Sequence, residues 1–315
     1  MSDAGRSIAL RGDAAHLPLP DRSVDLVVTS PPYYGHRGYT DGGEQYDGQL
    51  GNEHTPQEFV AALVACTREW QRVLKPSGSI WVNLGDTYAS YPGGRGDGQI
   101  DKNAPRQIHA KGHGLLGGGA VKNKSLMGVP WRYALACIDE LGLILRAEVV
   151  WEKTNCKPES VKDRVWRTHE TWFHFTTRDR YYAANKQRES GMRRLLRSVW
   201  QVSTATRPLT PPASLATRHY ARYPTEFPRR IITEWCPEGG VVLDPFGGTG
   251  TTALVADALG AVGVSVDRSE EYCRLAQWRL ADSAERYRVR GTPRRRISSR
   301  AAPSQGSLFS VDDAS

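Results

Sequence analysis

The chain has 315 residues, of which 39% are hydrophobic and 24% are charged, so it is long and apolar enough to bury a core. No apolar run approaches the roughly 18 residues of a membrane span, and the first twenty residues lack the apolar core of a signal peptide, which excludes membrane and exported proteins and predicts a cytoplasmic one. The net charge is +8, and residues 153–230 hold 17 basic against six acidic side chains, an excess expected of a surface that binds a polyanion.

Hydrophobic periodicity predicts strands and helices that alternate along most of the chain. The predicted strands cover 7–11, 24–29, 79–86, 143–151, 171–177, 240–246 and 261–267. The predicted helices cover 56–73, 129–141, 225–235, 250–259 and 270–285. Such alternation indicates an α/β fold with a parallel sheet that helices cover on both faces.

Three stretches interrupt this alternation. The Gly-rich stretch at 87–125 has no periodicity, and a connection of that length is either functional or disordered. A basic region follows at about 178–222, and the residues after 285 are rich in Arg, Pro and Ser. We therefore predict one folded domain over 1–285 and a disordered basic tail over 286–315.

The five cysteines lie far apart and show no Cys-x-x-Cys spacing. Because disulfide frameworks and zinc sites show closely spaced or paired cysteines, we expect reduced, mostly buried thiols and no metal site. His109 and His113 in the Gly-rich loop have no carboxylate or thiol partner nearby in the sequence, so we discount them as metal ligands.

The first turn of chemical interest follows the strand at 24–29 and reads Ser30-Pro31-Pro32-Tyr33. Two prolines fix two φ angles and remove two N–H donors, which leaves a rigid arc of carbonyl oxygens beside a hydroxyl and an aromatic ring. Such an arc can hold a planar group by its exocyclic amine while the ring stacks on its face. The alternative is an ordinary turn with a packed tyrosine.

The second turn joins a strand to a helix and reads Asp244-Pro245-Phe246-Gly247-Gly248-Thr249-Gly250. Its glycines allow a ligand to approach closely, but it lacks the lysine of a phosphate-binding loop and the GxGxxG spacing of a dinucleotide fold. The next strand ends in Asp267, where a carboxylate can bind ribose hydroxyls. This combination predicts a nucleoside ligand without a phosphate chain, against the alternative of a simple Gly-rich turn.

Together the two turns resemble those of the amino-group DNA methyltransferases of the β order, in which the catalytic motif precedes the S-adenosylmethionine motif. The resemblance covers about residues 6–285 and includes Gly12-Asp13 and the segments 72–78, 151–170 and 219–224. It implies an α/β, Rossmann-like S-adenosylmethionine-dependent methyltransferase fold with a circularly permuted motif order and inserted DNA-recognition segments. The domain over 1–285 would then be the methyltransferase domain.

The resemblance also implies roles for individual residues and no metal. The catalytic pocket would consist of Ser30, Pro31, Pro32 and Tyr33. The S-adenosyl-L-methionine site would be formed by Asp13, Ser30, Asp244, Pro245, Phe246, Gly247, Gly248, Thr249, Gly250 and Asp267. Many relatives carry Glu at the position of Asp267, and both residue types supply a carboxylate.

The implied reaction is a direct methyl transfer to an exocyclic amine of a base that has left the duplex. The amine would donate hydrogen bonds to Ser30 and to the carbonyl of Pro31, which orients the nitrogen. Ser before Pro-Pro-Tyr is associated in the family with N4 of cytosine and Asp with N6 of adenine, so we expect a site-specific cytosine-N4 DNA methyltransferase, with an adenine-N6 enzyme as the alternative. No proline is followed by Cys, which excludes the usual pattern of C5 methylation.

Two further interpretations are less compatible with the sequence. Enzymes that methylate RNA or protein glutamine usually carry Asn before the prolines and place the cofactor motif first. A catalytically inactive DNA-binding relative would not need both turns intact.

The expected partners are double-stranded DNA and, in a restriction-modification system, a cognate restriction endonuclease, with no membrane and either a monomer or a homodimer. Candidate DNA-recognition residues lie in the loop at 87–125 and in the basic region, which includes Arg188, Arg193, Arg194 and Arg197.

Overall fold

The computed structural model describes residues 7–35, 40–41, 44–45, 49–89, 121–156, 158–184, 196–204, 209–215 and 222–290. Most of the predicted Gly-rich loop, residues 90–120, lies outside these ranges, as do His109, His113, Arg188, Arg193, Arg194 and all of 291–315. Within the described ranges, no helix has the length and apolar character needed to cross a membrane.

The described residues form an eight-stranded sheet and a separate two-stranded ribbon. The strands are β1 (Ile8–Arg11), β2 (Val24–Thr29), β3 (Thr40–Asp41), β4 (Glu44–Gln45), β5 (Leu74–Leu84), β6 (Ile144–Lys153), β7 (His169–Thr176), β8 (Val199–Val202), β9 (Val241–Asp244) and β10 (Val262–Asp267). The α-helices are α1 (Pro56–Val73), α2 (Val129–Leu141), α3 (Glu226–Trp235), α4 (Thr251–Ala258), α5 (Glu270–Ala281) and α6 (Ser283–Arg290). The large sheet has the order β1-β10-β9-β2-β5-β7-β6-β8, and β3 pairs with β4.

The prediction of a wholly parallel sheet is wrong at β7. The strands β1, β10, β9, β2 and β5 pair in parallel, but β7 runs antiparallel to both β5 and β6. The chain passes from β6 to β7 without a helix and returns beside the strand that it has just left. An antiparallel pair needs no helical crossover, so hydrophobic patterning alone cannot fix the direction of this strand.

The structure also departs from the predictions at β5, at β8 and at the last predicted helix. Strand β5 begins at Leu74, because Pro76-Ser77-Gly78 forms an irregularity within the strand rather than a turn before it. Strand β8 lies within the predicted basic region and pairs with β6 at one end of the sheet. The last predicted helix breaks at Asp282, whose backbone is extended, and α6 continues to Arg290, so residues 286–290 are helical instead of belonging to a disordered tail.

Helix α1 forms where its sequence predicts. Thr55 and Glu58 make a reciprocal capping box, and Pro56 occupies the first turn, where its missing N–H is not needed. The buried face has three- and four-residue spacing and consists of Phe59, Leu63, Cys66, Trp70 and Val73 together with smaller neighbours. This face covers one side of the sheet.

Buried apolar residues pack on both faces of the sheet. On β2, Val27 packs in the cluster that includes α1 and α2, whereas Leu26 and Val28 pack in the cluster that includes α3 and α4. Strand β2 is therefore buried on both sides, which explains the three consecutive apolar residues at its centre, Leu26, Val27 and Val28.

The parallel part of the sheet brings the ends of four strands to one edge. The turns after β1, β2, β9 and β10 begin at Gly12, Ser30, Pro245 and Arg268. Ligands of open α/β sheets bind at the carboxyl ends of the strands. We call the end of the sheet that these carboxyl ends form the active edge.

Candidate active site

A cavity of about 360 Å³ lies at the active edge. It is lined by Ser30 and Pro32 from the first turn and by Pro245, Phe246, Gly248 and Thr249 from the second. Asp13 and Asp267, which follow or end β1 and β10, line it as well. Residues more than 200 positions apart in the sequence thus share one site of a size typical for small ligands.

Five of the residues predicted for the site do not line this cavity: Pro31, Tyr33, Asp244, Gly247 and Gly250. Pro31 is buried, and the Tyr33 side chain is directed toward β5 and β7. The other three belong to the second turn and shape it from beneath. Their predicted contacts with a cofactor therefore stay a prediction.

Asp244 connects the two turns through its buried carboxylate. Its Oδ1 accepts hydrogen bonds from Thr29 Oγ1 at 2.7 Å and from the Phe246 N–H at 3.2 Å. Its Oδ2 accepts from Thr252 Oγ1 at 2.5 Å and from Tyr223 Oη at 3.0 Å. Burial raises the pKa of Asp244, although the four hydrogen bonds oppose this shift. Asp244 thus fixes the residue before Ser30 relative to the second turn.

The three glycines of the second turn differ in what a side chain at each position would meet. A Cβ at Gly247 would lie 1.8 Å from Ser265 Oγ, so the turn can pack against β10 only without a side chain. Gly250 has a φ of +73°, and a Cβ there would lie 2.9 Å from Cβ of Ala276. Gly248 has a φ of +48°, but its Cβ direction is open, and this residue lines the cavity. Gly248 is therefore the position at which a side chain would enter the site.

A buried arginine holds the second turn from the side of α5. The Arg279 guanidinium donates to the Thr249 carbonyl at 2.7 Å and to the hydroxyls of Thr249 and Thr251 at 3.0 and 3.1 Å. It also pairs with Glu285 at 3.2 Å. Desolvation lowers the pKa of Arg279 to about 10. Nothing in the local sequence pattern indicated this residue, because its partners in the turn are 28 or more positions away.

The two carboxylates at the cavity wall are held by backbone N–H groups. Asp267 accepts from the N–H groups of Gly248 and Ser269, both at 2.9 Å. Asp13 accepts from the N–H of Ala15 at 2.9 Å. A carboxylate offers about four acceptor positions, so each can also bind a ligand hydroxyl or amine.

One wall of the cavity was not predicted from the sequence. It consists of Gln49, Leu50, Glu53, Ala62, Ala65 and Cys66, and the start of α5 adds Arg268, Ser269 and Tyr272. Gln49 Nε2 is buried and has no hydrogen-bond partner among the described residues. Glu53 accepts from the Gly51 N–H at 2.8 Å, and burial raises its pKa. The small residues of α1 at three- and four-residue spacing were the available signal, but such spacing is also typical of helix packing.

The Tyr33 hydroxyl belongs to a polar network between β5, β6 and β7. It donates to Glu170 Oε2 at 2.6 Å. The Asn83 amide nitrogen lies 2.5 Å from Tyr33 Oη and 2.9 Å from Glu170 Oε2, while its oxygen accepts from Trp172 Nε1 at 3.3 Å. The other oxygen of Glu170 forms an ion pair with Lys153. The first turn is thus attached to the three strands beside it.

The Tyr33 ring lies directly against the backbone at the end of β5. A Cβ at Gly85 would lie 2.6 Å from the nearest ring carbon, so this position has no room for a side chain. Ser30 Oγ lies 3.4 Å from Tyr33 Oη and 3.3 Å from the Asn83 side-chain amide. The hydroxyl of Ser30 therefore stands between the cavity and the Tyr33 network.

The Gly-rich loop leaves and re-enters the domain at the active edge. Tyr88 pairs with Leu126, and the Ala89 N–H donates to the Ser125 carbonyl at 2.8 Å, just beyond the end of β5. The connection from β6 to β7 starts at the same edge and carries Lys162, which is exposed, and Arg167, which is half-buried. The described residues of both connections therefore lie at the active edge.

The predicted basic region begins on the other side of the sheet. Arg178 and Arg180 are exposed and follow the end of β7, where β7 pairs with the start of β5. The nearby Tyr182 N–H donates to the Ser77 carbonyl at 2.8 Å, which confirms this placement. These two arginines are therefore remote from Ser30.

No group of three or more His, Cys, Asp and Glu side chains among the described residues is arranged to hold a metal ion. The described cysteines all have free thiols, and burial raises the pKa of Cys66, Cys137 and Cys236 to about 12.

The chain is similar to known DNA methyltransferases along most of its length. A family model described as DNA methylase, for N6 and N4 methyltransferases, matches residues 24–278. Type II methyltransferase M.Cfr9I of Citrobacter freundii is 40% identical over 266 residues, which cover 83% of each chain. Type II methyltransferase M.XycI of Xanthomonas campestris pv. cyanopsidis is 41% identical over 267 residues, again with 83% of each chain covered.

Solved structures show the same fold. The cytosine-N4-specific PvuII DNA methyltransferase has a TM-score of 0.63 at 20% identity, with 91% of this chain and 93% of that one covered. TTHA0409 of Thermus thermophilus, solved in complex with S-adenosyl-L-methionine, has a TM-score of 0.57 at 23% identity, with 91% and 97% covered. The predicted α/β methyltransferase fold is confirmed. The two turns, the cavity between them and the sequence relatives agree, and the chain belongs to the N6/N4 family of DNA methylases.

Proposed function

We propose that this DNA methyltransferase transfers a methyl group from S-adenosyl-L-methionine to the exocyclic N4 amine of a flipped cytosine in duplex DNA. The observation that carries the proposal is the shared cavity, because Ser30 and Pro32 line it together with Gly248 and Asp267. A group bound by the second turn would lie next to the residues that can orient an amine.

The cavity wall fits the proposed cofactor in three respects. The open space beside Gly248 admits a ligand where any side chain would intrude. The Asp267 carboxylate can accept ribose hydroxyls, and the unpartnered Gln49 Nε2 offers a buried donor to a ligand acceptor. The TTHA0409 complex, which has the same fold, contains S-adenosyl-L-methionine.

When bound, S-adenosyl-L-methionine supplies an electrophilic methyl group on a sulfonium. The residues of this chain would act on the base instead. Ser30 Oγ and the Pro31 carbonyl accept hydrogen bonds from the exocyclic amine, and the two prolines fix the direction of that carbonyl. Tyr33 offers a ring on which the base can stack. Because these groups are held before the base arrives, they contribute by orientation and by stabilising charge that develops on the amine.

The choice of cytosine rests on two observations. Ser30 precedes Pro-Pro-Tyr, which in the family is associated with cytosine N4, and the PvuII enzyme of the same fold is cytosine-N4-specific. The chemistry of adenine N6 needs the same alignment of the nitrogen, so adenine remains the alternative target. We also propose a cytoplasmic protein of a restriction-modification system with a cognate endonuclease, because the relatives are type II methyltransferases.

The test is methyl transfer to DNA by the full-length chain. Incubation with tritiated S-adenosyl-L-methionine and bacteriophage λ DNA from a host without DNA methylation should label the DNA. Heat-treated protein provides the control. Absence of label in DNA under conditions where the folded chain binds the cofactor would contradict the proposed activity.

Binding to DNA should depend on salt through contacts at the active edge. Log affinity for duplex DNA should fall linearly with log salt, and Lys162→Ala with Arg167→Ala should reduce the steepness by about 0.9 for each phosphate contact that is lost. Arg178→Ala with Arg180→Ala removes the same charge at the opposite edge and should leave the slope unchanged. Filter binding or fluorescence anisotropy measures both, and equal reductions in the two double variants would refute this orientation of the DNA.

A further inference from the structure

Lys153 and Glu170 reach the catalytic turn, although the mechanism proposed above assigns them no role. Their side chains are only 21% and 13% exposed. Burial of an ion pair costs desolvation free energy and is not by itself a reason for stability, so we expect this pair to serve another function. Their position next to Tyr33 provides one.

Both oxygens of Glu170 are engaged on opposite sides. Oε1 pairs with Lys153, while Oε2 accepts from Tyr33 Oη at 2.6 Å and from the Asn83 amide nitrogen at 2.9 Å. A carboxylate with partners on both sides cannot rotate without breaking one of them. Lys153 and Asn83 therefore determine the orientation of Glu170, and Glu170 in turn fixes the position of the Tyr33 hydroxyl.

The partners of Tyr33 are placed on rigid elements. Asn83 lies on β5 opposite Trp172 of β7, and Glu170 lies on β7 opposite Trp151 of β6. Sites built on strands are held more closely than sites on loops. Tyr33 itself is on a loop, so its hydroxyl is the point at which the sheet can fix its ring.

The orientation of this ring matters for the reaction. The backbone of Gly85 limits the ring on one side, and the hydrogen bond at Oη restrains its far end. A base that stacks on the Tyr33 ring lies parallel to it, so the ring sets the plane of the base. Displacement of a reacting group by about 1 Å can lower rates by about 10²-fold. Loss of the hydroxyl anchor would leave the ring present but its plane less defined.

We propose that Lys153 and Glu170 are positioning residues that fix the plane of Tyr33 through its hydroxyl and so align the target base for methyl transfer. This inference rests on the proposed function, since it concerns how the same site holds its base. The pair acts through Tyr33 and does not touch the amine. A purely structural pair between β6 and β7, or a phosphate contact of Lys153, would act independently of the Tyr33 hydroxyl.

A double-mutant cycle tests this dependence with the full-length chain. Transfer of tritiated methyl groups to λ DNA is measured at saturating DNA and cofactor for the unaltered chain, Glu170→Gln, Tyr33→Phe and the double variant. Glu170→Gln should lower kcat about tenfold when Tyr33 is present and less than about twofold when Phe replaces it. The Kd for S-adenosyl-L-methionine, measured by calorimetry, should change less than about twofold in all of them.

Lys75→Met provides the matched control. Lys75 pairs with the buried carboxylate of Asp25 near the start of β5, at the edge of the sheet opposite Asn83. Its replacement, like Glu170→Gln, breaks a partly buried ion pair and should lower the melting temperature but not kcat. Where Glu170→Gln does not fold, Lys153→Met takes its place in the cycle with the same expectation.

The outcomes separate this inference from the proposed function. Equal losses of kcat from Glu170→Gln with Tyr33 and with Phe would overturn the positioning role and leave the methyltransferase activity intact. An unchanged kcat in Glu170→Gln with Tyr33 present would also overturn it. No transfer by the unaltered chain would overturn both.

Discussion

Replacement of Ser30 by alanine is expected to lower kcat for methyl transfer by about 10²-fold, the usual loss when one preorganised polar partner of the reacting group is removed. Ser30 Oγ lies at the junction between the cavity and the Tyr33 network, and in the proposed mechanism it accepts a hydrogen bond from the amine. Affinities for DNA and for S-adenosyl-L-methionine should change less than about twofold, because the amine bond is a small part of each contact. Single-turnover kinetics with labelled cofactor measure the effect.

Ser23→Ala is the matched control for this substitution. Ser23 precedes β2 as Ser30 follows it, and its hydroxyl donates to the Pro20 carbonyl at 2.7 Å in an exposed turn. Its replacement should leave kcat unchanged. Unaltered turnover in Ser30→Ala would instead assign Ser30 to a simple turn and remove it from the proposed mechanism.

Replacement of Gly248 by aspartate should weaken binding of S-adenosyl-L-methionine by more than about 10²-fold. The Cβ direction at Gly248 is open and the residue lines the cavity, so the new carboxylate would occupy ligand space. It would also stand near the Asp267 carboxylate, which accepts from the Gly248 N–H at 2.9 Å. Calorimetric titration with the cofactor measures the loss.

The positive φ of Gly248 requires a control for backbone strain. Gly239 has a φ of +68° and equally open space around its Cβ direction, but it lies in the turn before β9, away from the cavity. Gly239→Asp should therefore cost similar stability and leave cofactor binding intact. If Gly248→Asp binds the cofactor as the unaltered chain does, the cofactor site lies elsewhere.

The local elements of the fold were largely predictable, whereas the direction and neighbours of the later strands were not. The capping box and apolar spacing of α1 are local signals and predict it closely. The antiparallel direction of β7 depends on which strands it meets, and β8 is a short segment of alternating burial within a basic sequence. The break at Asp282 separates two amphipathic helices that a continuous pattern had joined.

The candidate site shows the same division between local and long-range information. The turns at Ser30 and Gly248 are local sequence signals, and the structure brings them to one cavity. The prediction that Asp244 binds the cofactor stays a prediction, whereas the four hydrogen bonds by which it links the two turns depend on residues that are distant in sequence. Arg279 and Gln49 gave no sequence signal, since their roles arise from chain segments that are distant in sequence.

The identity of the methylated nucleoside tests the central claim most directly. Duplex DNA labelled by the full-length chain is digested to nucleosides and analysed by mass spectrometry against standards. N4-methylcytosine, located at one short sequence, is the predicted product. N6-methyladenine alone would contradict the assignment of the base, and 5-methylcytosine would contradict the mechanism, because methylation at carbon requires a nucleophile that the Ser30 turn does not provide.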